Sequence, residues 1–200
     1  MDATARAAAA AISRNWGELD GLARDDADAA VRATALAALV NHGPRPVSSP
    51  TWIACVRDLD PRVRLRAAQV APRLGRAARN DTLLRLLADH DAWVAEAAAY
   101  AIGEHPAPTA KAKAAVVAAA TAHADPLVRE AAVAALGAIG DPATLPAVLY
   151  ACDDKPAIRR RAVLALAAFE GADVETRLHA ALEDRDWQVR QAAEDLLRAQ

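Results

Sequence analysis

One pattern of hydrophobic positions recurs six times along the chain. Each copy has a β-branched residue, then alanine four positions later and another apolar residue eight positions later, which together form one face of an α-helix. The six β-branched residues are Val31, Val63, Val94, Val128, Ile158 and Val189, at steps of 30 to 34 residues. Because a fixed period in this range is typical of repeat architectures, the pattern predicts six structural repeats. The alanine at the fourth place favours helices whose backbones approach closely, since a larger side chain would overpack the contact.

Each recurring helix also has a start signal. In five of the six copies an aspartate stands three positions before the β-branched residue, at Asp28, Asp60, Asp91, Asp125 and Asp186. The next position is proline in three copies, at Pro61, Pro126 and Pro156. Aspartate followed by proline is the preferred order for an N-cap and the first helical residue. A helix therefore begins at the same place in each repeat.

The spacing between these helices leaves room for a partner helix in every repeat. We predict an all-α fold of about six helical hairpins, preceded by an N-terminal cap helix over residues 2–13. The predicted hairpins cover residues 16–40, 51–74, 81–103, 109–139, 145–169 and 174–199. The Pro/Gly/Ser-rich stretch 43–50 indicates a loop, and Pro72 should kink or end its helix early, with Gly75 as the C-cap region.

The segment Val128 to Pro142 reads Val-Arg-Glu-Ala-Ala-Val-Ala-Ala-Leu-Gly-Ala-Ile-Gly-Asp-Pro. It resembles the HEAT-like repeat, in particular the short bacterial form first recognised in phycobilin lyases, and the resemblance extends over essentially the whole chain. It implies an armadillo-type α-solenoid, a right-handed α-α superhelix. In such proteins the second helix of each hairpin lines a concave surface that binds another macromolecule.

Length and composition fit one HEAT-like repeat domain over residues 1–200. The 54% hydrophobic content is mostly alanine. No apolar run approaches the ~20 residues that a membrane span needs. The alanine-rich start, Ala3 to Ile12, lacks the features of a signal peptide. We expect a cytoplasmic protein that does not bind membranes.

The residues that usually carry chemistry are scattered. Cys55 and Cys152 lie in different repeats and fit buried small side chains better than a disulfide or a zinc site. The five histidines share no metal-ligand spacing. The HEAT-like deoxyhypusine hydroxylases bind iron through His-Glu dipeptides, and this chain has only the reverse order, Glu104-His105. We therefore expect no metal, no cofactor and no catalytic site.

An arginine recurs directly after the β-branched residue, at Arg32, Arg64, Arg129, Arg159 and Arg190. In HEAT-like arrays this arginine and the capping aspartate usually form a ladder between repeats, so we expect a structural role. The pattern fails at Ala95, which replaces the arginine, and at Lys155, which replaces the aspartate. The gap at Ala95 makes the middle of the array the first place to look for a ligand.

A helical wheel identifies the residues of the second helices that lie opposite the packed face. In repeat 3 these are Trp93, Glu96 and Tyr100. The neighbouring candidates are arginines, Arg62 and Arg66 in repeat 2 and Arg160 and Arg161 in repeat 5. Exposed aromatic side chains beside arginine are typical of binding sites. The alternative is that Trp93 packs across the seam between repeats. We expect Trp16, Trp52 and Trp187 to pack in the structure.

Charge narrows the choice of partner. The net charge of −2 argues against a dedicated nucleic-acid binder. Residues 57–85 nevertheless contain eight arginines against three aspartates, a net of +5. We expect a non-enzymatic scaffold that binds a protein or peptide with an apolar anchor and acidic groups. Nucleic-acid binding or DNA repair is the second expectation, and a lyase or lyase-subunit role, as in the phycobilin lyases, is the third.

Overall fold

A computed structural model describes residues 3–43 and 49–199, and all regular structure within these ranges is helical. The all-α expectation is therefore confirmed. Asp2 of the predicted cap helix and residues 44–48 of the predicted loop lie outside the described residues. Among the residues that the structure describes, no helix combines the length and the apolar character needed to cross a bilayer.

The helices alternate as the sequence predicts. Helix α1 spans Ala3–Ile12 and precedes the repeats. The first helices of the six hairpins are α2 Trp16–Asp25, α4 Ser49–Val56, α6 Asn80–Leu87, α8 Ala110–Ala122, α10 Leu145–Ala151 and α12 Ala172–Ala181. The second helices are α3 Ala29–His42, α5 Pro61–Leu74, α7 Ala92–Gly103, α9 Pro126–Ile139, α11 Pro156–Ala165 and α13 Trp187–Ala199. The predicted boundaries differ from these by only a few residues.

The predicted start signals act as N-caps. The five capping aspartates accept a hydrogen bond from the backbone N–H two residues later. Lys155 makes no such bond, so α11 begins without a side-chain cap. At the other end of α5, the helix stops at Leu74, two residues after Pro72, and Gly75 adopts φ 54°. Gly75 is thus the C-cap that the sequence predicts, since glycine adopts a positive φ without steric cost.

The recurring apolar positions form the packed face of the second helices. All six β-branched residues and all six alanines four places later are at most 1% exposed. Trp52 in α4 is also buried, and its indole N–H donates to the carbonyl of Ala67 in α5 at 2.9 Å. The buried residues combine many alanines with larger side chains such as Leu36, Leu83 and Leu136.

By their contacts the residues group into two compact units. One contains Met1–Ala101 and His105–Ala107, and the other contains Ile102–Glu104 and Pro108–Gln200. In the first unit α1, α3 and α5 pack in sequence as one layer, and α2, α4 and α6 form the other. In the second unit α9, α11 and α13 pack in the same way, with α8 and α10 beside them. The organisation as one domain stays a prediction.

Two glycines allow second helices to approach very closely. A Cβ added to Gly103 would lie 2.8 Å from the Cα of Ala135, and one added to Gly137 would lie 2.8 Å from the Cβ of Ala165. Such distances are shorter than side chains tolerate. Glycine is therefore required by packing at these two positions, because an added methyl group would overpack the contact.

The ladder is present, but its acceptor differs from the one expected. Four of the five arginines bind the aspartate two residues before the next capping aspartate, or one residue before Lys155, and not the capping aspartate itself. Arg190, in the last repeat, donates to the carbonyl of Asp184. The pairs are Arg32 with Asp58, Arg64 with Asp89, Arg129 with Asp154, and Arg159 with Asp184, at 2.6 to 2.7 Å. Lys155 therefore does not interrupt the ladder, because Asp154 supplies the carboxylate.

Every ladder aspartate also orders the loop that contains it. Asp58, Asp89 and Asp184 each accept the backbone N–H of the following capping aspartate at 2.8 to 3.0 Å. The capping carboxylates already accept hydrogen bonds from the first turn of their own helices. The ladder arginines therefore bind the other aspartate of each loop. The sequence carries this signal as Asp-x-Asp, in Asp26 to Asp28 and in three later loops.

The break at Ala95 is matched by a second replacement. In the following loop His123 stands two residues before Asp125, where a ladder aspartate would be expected. Its Nδ1 accepts the backbone N–H of Asp125 at 3.1 Å, so the imidazole keeps the loop bond without supplying a carboxylate. Ala95 is fully buried. The position that the ladder arginine occupies in other repeats is therefore packed in repeat 3 by an alanine side chain.

Replacing Gly137 with alanine should destabilise the protein by about 1 to 3 kcal/mol, because the added methyl group overpacks the contact with Ala165. Gly21, inside α2, has no atom within 4 Å of its added Cβ and is the control. Gly21→Ala should be neutral or stabilising by about 0.5 to 1 kcal/mol. Urea unfolding measures both variants, and equal midpoints would contradict the close approach of α9 and α11.

Asp184→Asn should lower the free energy of unfolding by about 2 kcal/mol near neutral pH, because Arg159 loses its charged acceptor. The Arg159 hydrogen bond holds the pKa of Asp184 below its usual value. A depressed folded-state pKa stabilises the protein above the unfolded value of about 3.9, and the contribution disappears as the pH falls through the folded value. The difference between variant and wild type should therefore shrink below about pH 4. Glu183→Gln, at an exposed neighbouring position, is the matched control. An equal loss of stability in Glu183→Gln would contradict a stabilising role of the Arg159–Asp184 pair.

Candidate functional site

Trp93 and Tyr100 are the exposed aromatic residues of α7. Their exposed fractions are 63% and 54%, while Val94 and Ala98 on the opposite side of the helix are fully buried. The two rings are seven residues apart, which is two helical turns, so they lie on the same face. Glu96 lies between them and is half-buried. The alternative in which Trp93 packs between repeats is therefore wrong.

The equivalent face of α5 is basic. Arg62, Arg66 and Gln69 are exposed there, whereas Val63 and Ala67 are buried. Arg62 and Gln69 hold the same positions in α5 that Trp93 and Tyr100 hold in α7, counted from the β-branched residue. Both helices contribute these residues to the first compact unit.

The two arginines of α5 differ in what they bind. Arg62 donates from Nε and from one terminal nitrogen to its own capping residue Asp60, at 3.0 and 2.8 Å. This hydrogen bond lowers the pKa of Asp60 to about 2. Among the described residues Arg66 forms no ion pair. Arg66 is thus the guanidinium that an incoming anion reaches without displacing a carboxylate, while Arg62 must exchange Asp60 for the anion.

The remaining candidates, Arg160 and Arg161, belong to the second unit. Arg160 is exposed, and Arg161 lies 3.5 Å from Glu130 across to α9. Arg161 borders a shallow groove of about 350 Å³ whose other walls are small or apolar, including Ala134 and Leu164. The predicted site residues therefore belong to different compact units, those of α5 and α7 to the first and those of α11 to the second.

The other three tryptophans differ in how exposed their side chains are. Trp52 is buried, as expected, and Trp16 is half-buried. The expectation that Trp187 packs is wrong, because it is 64% exposed. It precedes the first buried residue of α13, Val189, by two positions, and two positions correspond to about 200° around a helix. Its side chain therefore lies nearly opposite the packed face.

The thiols and histidines do not form a reactive group. Cys55 and Cys152 are free and buried, and burial raises the pKa of the Cys55 thiol to about 12. Across residues 3–43 and 49–199, no group of three or more potential metal ligands comes together. The exposed side chains on α5 and α7 described above are aromatic and guanidinium groups.

Comparison with known proteins agrees with the repeat pattern. The family described as HEAT repeats matches residues 49–115, 80–167 and 114–198, which together span three quarters of the chain. No curated protein matches the sequence.

Two solved structures have a similar fold. The complex of CpcE and CpcF of phycocyanin lyase from Nostoc sp. PCC7120 has a TM-score of 0.62 at 22% identity, covering 75% of this chain and 98% of that chain. A designed armadillo repeat protein in complex with the peptide (KR)4 has a TM-score of 0.61 at 18% identity, covering 94% and 92%. These likenesses confirm the HEAT-like, armadillo-type fold class, and at such low identity they establish the fold alone.

The free energy of unfolding of the double variant Trp93→Ala/Tyr100→Ala should lie within about 1 kcal/mol of the wild-type value, because exposed side chains away from packing contribute little to stability. Leu136→Ala is the contrasting variant, since Leu136 is fully buried in α9. It should cost about 2 to 5 kcal/mol. A loss of that size in the aromatic double variant would mean that the two rings are core residues.

Proposed function

We propose that this chain, which belongs to the family of HEAT-repeat proteins, is a non-enzymatic scaffold that binds an acidic peptide segment on α5 and α7. Membership of the family rests on three overlapping matches that cover most of the chain. The observation that carries the proposal is the exposure of Trp93 and Tyr100 on one face of a helix whose opposite face is fully buried.

The aromatic pair would provide the apolar part of the site. Large exposed aromatic side chains are costly to leave in water and are enriched among the residues that dominate binding energy. Two aromatic residues seven positions apart, about 10.5 Å along the helix axis, are spaced for side chains of an extended segment rather than for a single small molecule. The proposal therefore assigns an apolar anchor residue of the partner to this pair.

The arginines would select the charge of the partner. Guanidinium groups pair with carboxylates through two parallel hydrogen bonds, which gives both affinity and orientation. Arg66 offers such a group without competition, and Arg62 offers one in exchange for Asp60. The similar armadillo repeat protein holds the basic peptide (KR)4. The arginines of α5 have the opposite preference, so the partner proposed for this chain is acidic.

Arg160 and Arg161 form a second patch that would contact the same class of ligand. Arg161 and the groove beside Ala134 and Leu164 combine one guanidinium with an apolar wall. Glu130 lies 3.5 Å from Arg161, so this arginine is also partly compensated. We assign this patch a secondary role.

Binding of nucleic acid remains the less favoured alternative. Among the eight arginines of residues 57–85, Arg62 and Arg64 are held by aspartates. The net charge of the chain is −2. A lyase role has the fold likeness to the phycocyanin lyase complex as its support, and the described side chains add nothing to it.

Selection from a random peptide library displayed on phage tests the proposal. Wild-type protein should enrich peptides that combine glutamate or aspartate with a large apolar residue. Trp93→Ala/Tyr100→Ala should weaken binding of the enriched peptides at least tenfold, about 1.4 kcal/mol, as expected for aromatic anchors.

The control for this selection is Trp187→Ala/Tyr150→Ala. It removes one tryptophan and one tyrosine that are 64% and 63% exposed but lie outside the proposed site. Affinity should stay within about twofold of wild type. Enriched peptides that are basic, or that bind the aromatic double variant as tightly as wild type, would contradict the proposal.

A further inference from the structure

A second basic site lies beside the Arg64–Asp89 pair, on the ends of the first helices rather than on the second helices. The pocket has a volume of about 390 Å³. Arg57, directly after α4, and Arg85, in α6, line it from two adjacent repeats, and His90 borders it from the loop before α7. This volume is near the lower limit for small-molecule sites, about 300 to 1,000 Å³.

The acidic groups in this pocket are already neutralised. Asp58 accepts two hydrogen bonds from Arg32, at 2.7 and 2.8 Å. Asp89 accepts two from Arg64, at 2.6 and 3.0 Å. Both carboxylates are thus bidentate partners of ladder arginines, and neither is available to Arg57 or Arg85.

The two other arginines are exposed and uncompensated. Among the residues that the structure describes, neither Arg57 nor Arg85 forms an ion pair. His90 is almost fully exposed, with its Nδ1 3.5 Å from Asp89. The pocket lining therefore has three arginines against two carboxylates, and Asp58 is in addition held by Arg32 from outside the pocket.

The ladder itself does not require these arginines. Similar pockets lie beside the Arg129–Asp154 and Arg159–Asp184 pairs. Counted from the ladder residues, Arg57 corresponds there to Ala122 and Cys152. Arg85 corresponds in the same way to Tyr150 and Ala180. The pocket beside Arg129–Asp154 contains no arginine other than the ladder arginine, whereas the pocket beside Arg159–Asp184 is lined by Arg177, which pairs with Asp153, and by Arg185. A ladder pair therefore forms without an additional arginine, and formation of the pair does not explain why repeats 2 and 3 have Arg57 and Arg85.

We propose that Arg57 and Arg85 bind a phosphoryl group in the pocket beside the Arg64–Asp89 pair. Two planar guanidinium groups that enter one pocket from neighbouring helices match the several acceptor oxygens of a phosphate ester. The ladder arginine Arg64 also lines the pocket but is held by Asp89, so it adds positive potential without exchanging its partner. The site is separate from the proposed peptide surface and does not depend on it.

Titration of ¹⁵N-labelled protein with inorganic phosphate, at constant ionic strength, tests this assignment through the arginine Nε–Hε signals. The signals of Arg57 and Arg85 should shift together and saturate. Arg57→Ala/Arg85→Ala should weaken phosphate binding by about tenfold or more, since hydrogen bonds to charged groups are among the stronger ones.

The matched control is Arg76→Ala/Arg79→Ala, which removes two exposed arginines between α5 and α6 that do not line the pocket. It makes the same change in net charge and should alter phosphate affinity by less than about twofold, as expected for screened surface charges. Equal weakening by the two double variants would show a diffuse attraction to the basic segment and would overturn the proposal.

Two peptides identify the source of the phosphoryl group. A phosphoserine peptide that binds at least tenfold more tightly than inorganic phosphate assigns the site to a phosphorylated protein segment, whereas equal affinities assign it to free phosphate. The same peptide with glutamate in place of phosphoserine should bind at least tenfold more weakly. Equal binding of the glutamate and phosphoserine peptides would overturn the phosphoryl assignment.

Discussion

Each ladder arginine joins two repeats through one guanidinium group. Arg64 donates to the carbonyl groups of Asp58 and Leu59 in its own loop and also to both carboxylate oxygens of Asp89 in the next loop. The pair is largely removed from water, so its stability depends on all of these bonds being made together. Because the same aspartate also accepts the N–H of the next capping residue, one ion pair fixes a loop, a helix start and the contact between repeats.

This arrangement separates structural from exposed positions on the second helices. The ladder arginine and the packed alanines occupy one side, and close helix contacts such as Gly137 with Ala165 hold neighbouring helices together. The opposite side takes no part in these contacts, so its residues are free to vary between repeats. Trp93 and Tyr100 stand on that side of α7. The fold therefore does not require exposed aromatic residues at these two positions. We propose that they are exposed because they bind a partner.

Local patterns made most of the fold predictable from sequence. The period of the apolar positions and the aspartate caps depend on nearby residues, and both were confirmed along the described chain. The predicted acceptor of the ladder arginine was wrong, because the choice between Asp58 and Asp60 depends on a bond to another repeat. Residue spacing within one helix does not encode that bond. The expectation that Trp187 packs was also wrong, because its position in the helix lies away from Val189 and leaves its side chain 64% exposed.

The candidate site was predictable in part. The helical wheel placed Trp93 and Tyr100 on the exposed face correctly. It did not reveal that Arg62 is held by Asp60 while Arg66 is unpaired, because ion pairs depend on side-chain conformation. The arginines beside the Arg64–Asp89 pair were visible only as a basic segment, since Arg57 and Arg85 enter one pocket from separate helices.

The most direct test of the binding face is photo-crosslinking in cells, with Tyr100 replaced by p-benzoylphenylalanine. An aromatic ring is retained at an exposed position, so the fold and the apolar contact are preserved. The same replacement at Tyr150, which is 63% exposed and outside the site, is the control. We expect a crosslinked polypeptide at position 100 and none at position 150. Crosslinking at neither position, or the same products at both, would contradict the assignment of α5 and α7 as the binding surface.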